Sequence, residues 1–266
     1  MNPGAAAGLA AIDWSRPWLA RWRAVGEPLA AQALRVGLLE ALEAADREAV
    51  TLSAGRVRFV EVAARPPGEA YESFIARTAC VPTRANLHDF FNALAWLVHP
   101  ALKRRLNELH ARAIAGSAAG PSRGPVRDAL TLFDENAALW QAPAVLVEAL
   151  RRRDWQALFV THRAAWERSR LELFGHALLE KLVQPRKAIT AHVWVLPGLA
   201  RDAPGPGSAR LAEVLEPAPL AAKPFLPLPV LGVPGWWAPN ECEAFYVDSA
   251  VFRPAPMQTA ARGPLS

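Results

Sequence analysis

The sequence contains only two cysteines in 266 residues, Cys80 and Cys242, far apart and in no C-x-x-C spacing. That argues against a disulfide framework and a thiolate metal site, and it suits a reducing compartment. Uninterrupted apolar runs are scarce. The longest charge-free stretch, 224–240, holds Pro227, Pro229, Pro234 and Pro239, which would strip a membrane helix of backbone hydrogen bonds, so no membrane span is expected. The short apolar run from Gly4 to Ile12 has no Lys or Arg before it and meets Asp13, so no secretory leader is expected and the cytoplasm is the anticipated location. Two common sets of local mechanics are also missing. There is no G-x-G-x-x-G after a strand and no G-x-x-x-x-G-K-[ST], and the zincin spacing H-E-x-x-H does not occur.

Charge of either sign is modest. Thirty Lys and Arg stand against 25 Asp and Glu, a net +5, and the two signs interleave. No basic stripe alternates with stacking aromatics, so tight sequence-specific nucleic-acid binding is not expected, and the partner class is a small molecule or another protein. What is present is apolar material: 52% hydrophobic against 21% charged residues supplies a large core. Nothing divides the chain compositionally, so residues 1–266 read as one domain with an irregular N-terminal arm and a frayed, proline-rich C-terminal tail.

Hydrophobic periodicity places the elements. Trp14, Trp18 and Trp22 recur every four residues near Pro17 and predict an aromatic face packed onto its own domain. Leu29 to Leu42 reads as a helix, and 50–62 as a hairpin about Ser53-Ala54-Gly55. A short helix is expected over 71–77, then two stronger ones over 86–98 and 101–115 parted by Pro100. The Gly, Ser and Pro cluster of 116–124 is a loop, followed by a strand-like Leu130 to Phe133. Helices return at 145–152, 155–159 and, longest, 164–183. A β run over 189–196, a loop over 197–208 and a last strand over 245–252 complete the reading. The fold class is therefore α+β, a helix-dominated single domain with a small, mostly antiparallel sheet.

Three segments carry candidate chemistry. In the helix after Pro82, Leu87, Phe90, Phe91, Leu94 and Val98 form the apolar stripe, with His88 and Asn92 one turn apart on its flank. Asn86, Asp89 and His99 on the same segment have ordinary explanations as a cap and as charges suited to the helix ends. Glu172, His176 and Glu180 follow an E-x-x-x-H-x-x-x-E spacing that one helix would stack on one face, and Gly175 points to close packing there. Asp128 and Asp134 flank the strand-like run and, with Glu180, are candidate oxygen ligands for a divalent metal ion, whereas Asn136 suits a turn. His192 reads as a structural histidine, and the basic triplets at 103–105 and 151–153 as solvated helix ends. The candidate catalytic set is His88, Asn92 and His176, with His88 and His176 expected to share one cavity although 88 residues separate them.

Four segments, PTRANLHDFFN (82–92), RDALTLFDEN (127–136), FGHALLE (174–180) and FYVDSAVFRP (245–254), resemble the bacterial family known as domain of unknown function 3025. The resemblance implies a bacterial cytosolic protein and carries no activity, cofactor or catalytic residue with it. A glycine is expected after the Asp-Glu-Asn segment, and this chain has Ala137 there. Two functions remain open on these residues. One is an uncharacterised enzyme, such as a metal-assisted hydrolase, built around His88, Asn92, His176 and Glu180. The other is a non-enzymatic binding protein in which the same groups form a structural hydrogen-bond network.

Overall fold

The computed structural model of the chain describes residues 3–45, 50–116, 124–196 and 207–254. Most of the expected loops over 116–124 and 197–208, and the tail beyond 254, lie outside these residues. The chain opens with helices α1 (Pro3–Ala10), α2 (Arg23–Val36) and α3 (Leu38–Ala44). The helix expected over 29–42 is thus two, because Gly37 takes φ 100° at the joint, a conformation closed to other residues at low cost. A tight antiparallel pair follows, β1 (Thr51–Leu52) with β2 (Gly55–Arg56), as the hairpin pattern predicts. The remainder of the 50–62 run, β3 (Arg58–Val60), instead pairs parallel with β4 (Cys80–Pro82) across helix α4 (Tyr71–Thr78).

Helices α5 (Leu87–Val98) and α6 (Pro100–Ala115) lie where the periodicity puts them. Asn86 caps α5 by accepting from the Asp89 backbone N–H at 2.7 Å, and Pro100 opens α6 at its first position, where no N–H is needed. Next come α7 (Pro125–Asn136), β5 (Ala137–Gln141), α8 (Ala144–Arg152), a single π turn over 157–161 and a 3-10 segment over 163–168. The chain then runs through β6 (Arg170–Leu173), α9 (His176–Leu182), β7 (Thr190–Val195), α10 (Gly207–Val214), α11 (Pro217–Ala221) and β8 (Leu226–Pro229).

The principal sheet has the order β6-β5-β7-β8, with β5 and β7 parallel and the two outer pairings antiparallel. Alternation along central β5 sends Ala138 and Trp140 into one apolar cluster and Ala137 and Leu139 into another, so the sheet is covered on both faces. Proline-bearing β8 is an edge strand, the position where a missing backbone donor costs no ladder bond. Trp14, Trp18 and Trp22 are all buried in the larger cluster, and Trp22 donates its indole N–H to the Leu173 carbonyl at 3.1 Å. The N-terminal segment is therefore packed into the core, as the tryptophan spacing predicts. Among the described residues no helix is long and apolar enough to cross a membrane.

Three expectations fail, each for a tertiary reason. Leu130 to Phe133 belongs to helix α7, not a strand, because Ala129, Leu130 and Phe133 bury one helical face after the Pro125 start. The helix expected over 164–183 is divided by β6, whose pairing with β5 outweighs the helical spacing of its leucines. Residues 245–252 form a 3-10 turn and bends rather than a strand, held by an aromatic cluster in which Tyr246 stacks on Phe159 at 5.0 Å and Phe252 lies 5.3 Å from Tyr246. Ala137 sits at φ −76°, ψ 151° and begins β5, in keeping with an alanine rather than a glycine turn at that position.

Candidate functional site

Five helices converge on a polar cavity of about 570 Å³. Helix α4 contributes Tyr71 and Glu72, α5 His88, Asp89 and Asn92, α6 His110, α7 Arg127, Asp134 and Glu135, and α9 His176. Helix α9 can press so close to α7 because the residue that caps its start is glycine. A Cβ on Gly175 would lie 2.4 Å from the Glu135 carbonyl oxygen and 2.5 Å from the Asn136 nitrogen, both backbone atoms. Gly175→Ala is therefore expected to cost about 1–3 kcal/mol of stability through overpacking, read by urea unfolding. A variant as stable as the parent would show that this approach is dispensable.

The two histidines meet at this junction. His88 Nε2 and His176 Nε2 are 3.1 Å apart, with ring centroids at 4.6 Å and planes inclined by 78°. His88 Nδ1 lies 2.9 Å from Glu180 Oε2, and because a carboxylate only accepts, that nitrogen carries the proton. His176 Nδ1 lies 3.6 Å from Asp134 Oδ2. Only His88 is thus hydrogen-bonded to a carboxylate on its far nitrogen; His176 Nδ1 is buried and makes no hydrogen bond. The His88 side chain is 35% exposed and reachable from solvent, whereas His176 is enclosed and burial depresses its pKa to about 4, against the opposing charge of Asp134.

Behind the pair runs a second chain of polar contacts. Lys103 Nζ donates to Asp134 Oδ1 and Oδ2 at 2.7 and 2.9 Å and to Asn92 Oδ1 at 2.8 Å, and it lies 5.3 Å from the Trp96 ring centroid. The Asn92 amide donates in turn to the Tyr71 hydroxyl at 2.9 Å. Burial alone would raise the Asp134 pKa, but Lys103 and His176 outweigh it and hold the carboxyl below its ordinary range. Tyr71 is pushed well up by burial and by the nearby acids, so its hydroxyl keeps its proton. At the rim Asp89 accepts from the Arg84 backbone N–H at 2.6 Å and from its guanidinium at 3.0 and 3.1 Å, so its partner is a side chain as well as a helix end.

Of the residues expected to build a site, His88, His176, Glu180, Asn92 and Asp134 are brought together. Asn92 is committed at both ends of its amide and positions Lys103. Asp128 is exposed in the first turn of α7, and Asp134 and Glu180 are each engaged with a cation or imidazole. The all-oxygen ligand set Asp128, Asp134 and Glu180 is not assembled, and among the described residues no three His, Cys, Asp or Glu side chains form a ready metal cage. Glu172 lies on β6, away from His176 and Glu180, so the three do not share a helical face. It joins a separate buried cluster in which His99 Nδ1 is 2.9 Å from Ser208 Oγ and His99 Nε2 is 3.5 Å from Glu172 Oε1.

Lys103, Tyr71, His110, Arg127 and Glu135 were not anticipated. The first carried a legible signal: Lys103, Asn107 and His110 recur at i, i+4 and i+7 on α6, and all three are buried. A polar stripe at helical spacing beside an apolar one marks a second packed face, whereas a solvated helix end would show none.

A family model described as "Protein of unknown function (DUF3025)" matches residues 57–256, a span that takes in every residue of the cavity. No curated protein and no solved structure matches the chain.

Proposed function

We propose that this chain, which belongs to the DUF3025 family, is an enzyme that hydrolyses a small polar substrate in the cavity, with the His88–His176 nitrogen pair as its reactive centre. The observation that carries the reading is the pair itself: two imidazoles from separate helices meet at 3.1 Å in a cavity wall, with the Glu180 carboxylate hydrogen-bonded to the outer nitrogen of His88. A carboxylate placed in this way fixes the His88 tautomer and leaves its inner nitrogen as a base for activating water. The ion pair of Lys103 with Asp134 holds the carboxylate beside His176 in place. A binding protein remains the second reading, favoured by the way Tyr71, Asn92, Lys103 and Asp134 satisfy one another without a ligand.

A hydrolysis screen over phosphoesters, carboxylic esters and amides separates the two. Turnover is expected for one of these classes, falling by roughly 10²–10⁴-fold in His88→Ala with far-UV circular dichroism unchanged. The absence of turnover in all classes, together with a small molecule that still raises the melting temperature of His88→Ala, would favour the binding reading.

A further inference from the structure

We infer that the end of the cavity away from His88 and His176 seats an anionic group of the substrate, a carboxylate or a phosphate, against Arg127, Arg65 and His110. The proposal rests on the hydrolase reading and names its substrate class. Helices α6 and α7 set the distance between the two ends. Lys103 of α6 meets Asp134 of α7 at 2.7 Å, and seven residues further along α6 His110 feels the charge of Arg127, seven residues back along α7. A helical rise of about 1.5 Å per residue puts this second pair about 10 Å from the first. Thr131 lines the cavity between them.

The two ends differ in how their charges are met. At the histidine end Lys103 holds Asp134, and at the rim Arg84 holds Asp89. At the far end Arg127 has no hydrogen bond or ion pair among the described residues. Arg65 donates one Nη to the Glu69 carbonyl just before α4, and its buried Nε has no acceptor. His110 is 7% exposed, lines the cavity and makes no hydrogen bond among the described residues. Burial lowers its pKa against the pull of Glu72 and Asp134, so at neutral pH the ring is uncharged and has one N–H to give. One acid, Glu72, shares this end, and Asn107 already donates to its Oε2 at 2.6 Å. Two guanidinium groups against one carboxylate leave a positive site, while Glu135, the remaining acid of the cavity, lies on the last turn of α7. The planar fork of a guanidinium matches the paired oxygens of a carboxylate or phosphate. The cavity of about 570 Å³ then takes a substrate whose anionic end lies about 10 Å from the bond presented to His88.

The test is calorimetric titration of inorganic phosphate and, separately, succinate into the full-length protein at low ionic strength. Saturable binding of one ion per chain is expected for at least one probe, and the tighter of the two tells phosphate from carboxylate. Arg127→Gln, which removes the charge, should weaken binding by about 10–100-fold, and Arg127→Lys, which keeps the charge but not the fork, should fall between. Arg23→Gln, which alters an exposed ion pair on α2, should bind as the parent does, and circular dichroism checks the fold of each variant. No saturable binding of either ion by the parent overturns the proposal, and so does equal binding in Arg127→Gln. Binding is read without turnover and should persist in His88→Ala, so the two readings fail separately. Turnover confined to uncharged substrates would remove the anionic end and leave the hydrolase; ion binding lost in Arg127→Gln without any turnover would do the reverse.

Discussion

Replacing Lys103 with methionine is expected to lower the unfolding free energy by about 3–5 kcal/mol, a large fraction of what a domain of this kind possesses. Lys103 is 4% exposed and holds both oxygens of Asp134, and no other ammonium or guanidinium donates to that carboxylate among the described residues. Methionine keeps the apolar stem near Trp96 and removes the ammonium with its hydrogen bonds to Asp134 and Asn92, leaving the carboxylate enclosed without its cation. Asp134 is then pushed up into protonation, since burial acts without the Lys103 charge that offset it. Adding Asp134→Leu to Lys103→Met should recover most of the loss, because neither charge then has to be desolvated. Urea unfolding of the two single variants and the double variant gives the coupling. A loss below about 1 kcal/mol in Lys103→Met would mean that this pair is hydrated and behaves like a surface one.

The second large effect concerns acid. His99 is 2% exposed, and burial, aided by the positive charge of Arg21, draws its pKa down to about 3 from 6.5. The unfolded chain therefore binds a proton near pH 6.5 that the folded chain refuses until about pH 3. The sign follows: the neutral ring's contribution is complete above pH 6.5 and is lost as the pH falls toward 3, at up to about 1.4 kcal/mol per pH unit. His176 adds a loss of the same sign down to about pH 4. Glu172, whose carboxyl is raised by burial, acts the other way, since the folded chain accepts its proton first. His110 and His192, also lowered by burial, add losses of the same sign, so stability measured from pH 7 to 4.5 should fall with a slope about one proton smaller in His99→Gln than in the parent. Equal slopes for the two proteins would show that His99 is protonated within the fold.

The residues of the His88–His176 pair were legible because helical spacing makes flanks visible. His88 with Asn92 and His176 with Glu180 each lie one turn apart beside apolar positions, and that pattern is local. Which partner each took was not. Glu180 lies four residues from His176 yet hydrogen-bonds His88, and Asn92 lies four from His88 yet holds Lys103. The metal candidates erred for the same reason: Asp128 and Asp134 are six residues apart on α7, so a helix turns them to different sides, whereas a strand would have aligned them.

By itself the sequence determined the α+β class, the spans of α5, α6 and α8, the β run that became β7, and the tight packing at Gly175, because capping, proline placement and the 3.6-residue period act over a few residues. Tertiary structure alone decided the rest. Residues 170–173 became a strand because β5 offers a ladder across which Leu173 pairs with Ala138. The proline-bearing segment 226–229 became an edge strand because β7 had one side free. Lys103 became a buried cation because α7 brought Asp134 within 2.7 Å. Each of these rests on hydrogen bonds or charge pairing between residues far apart in the chain, and no local periodicity names such a partner.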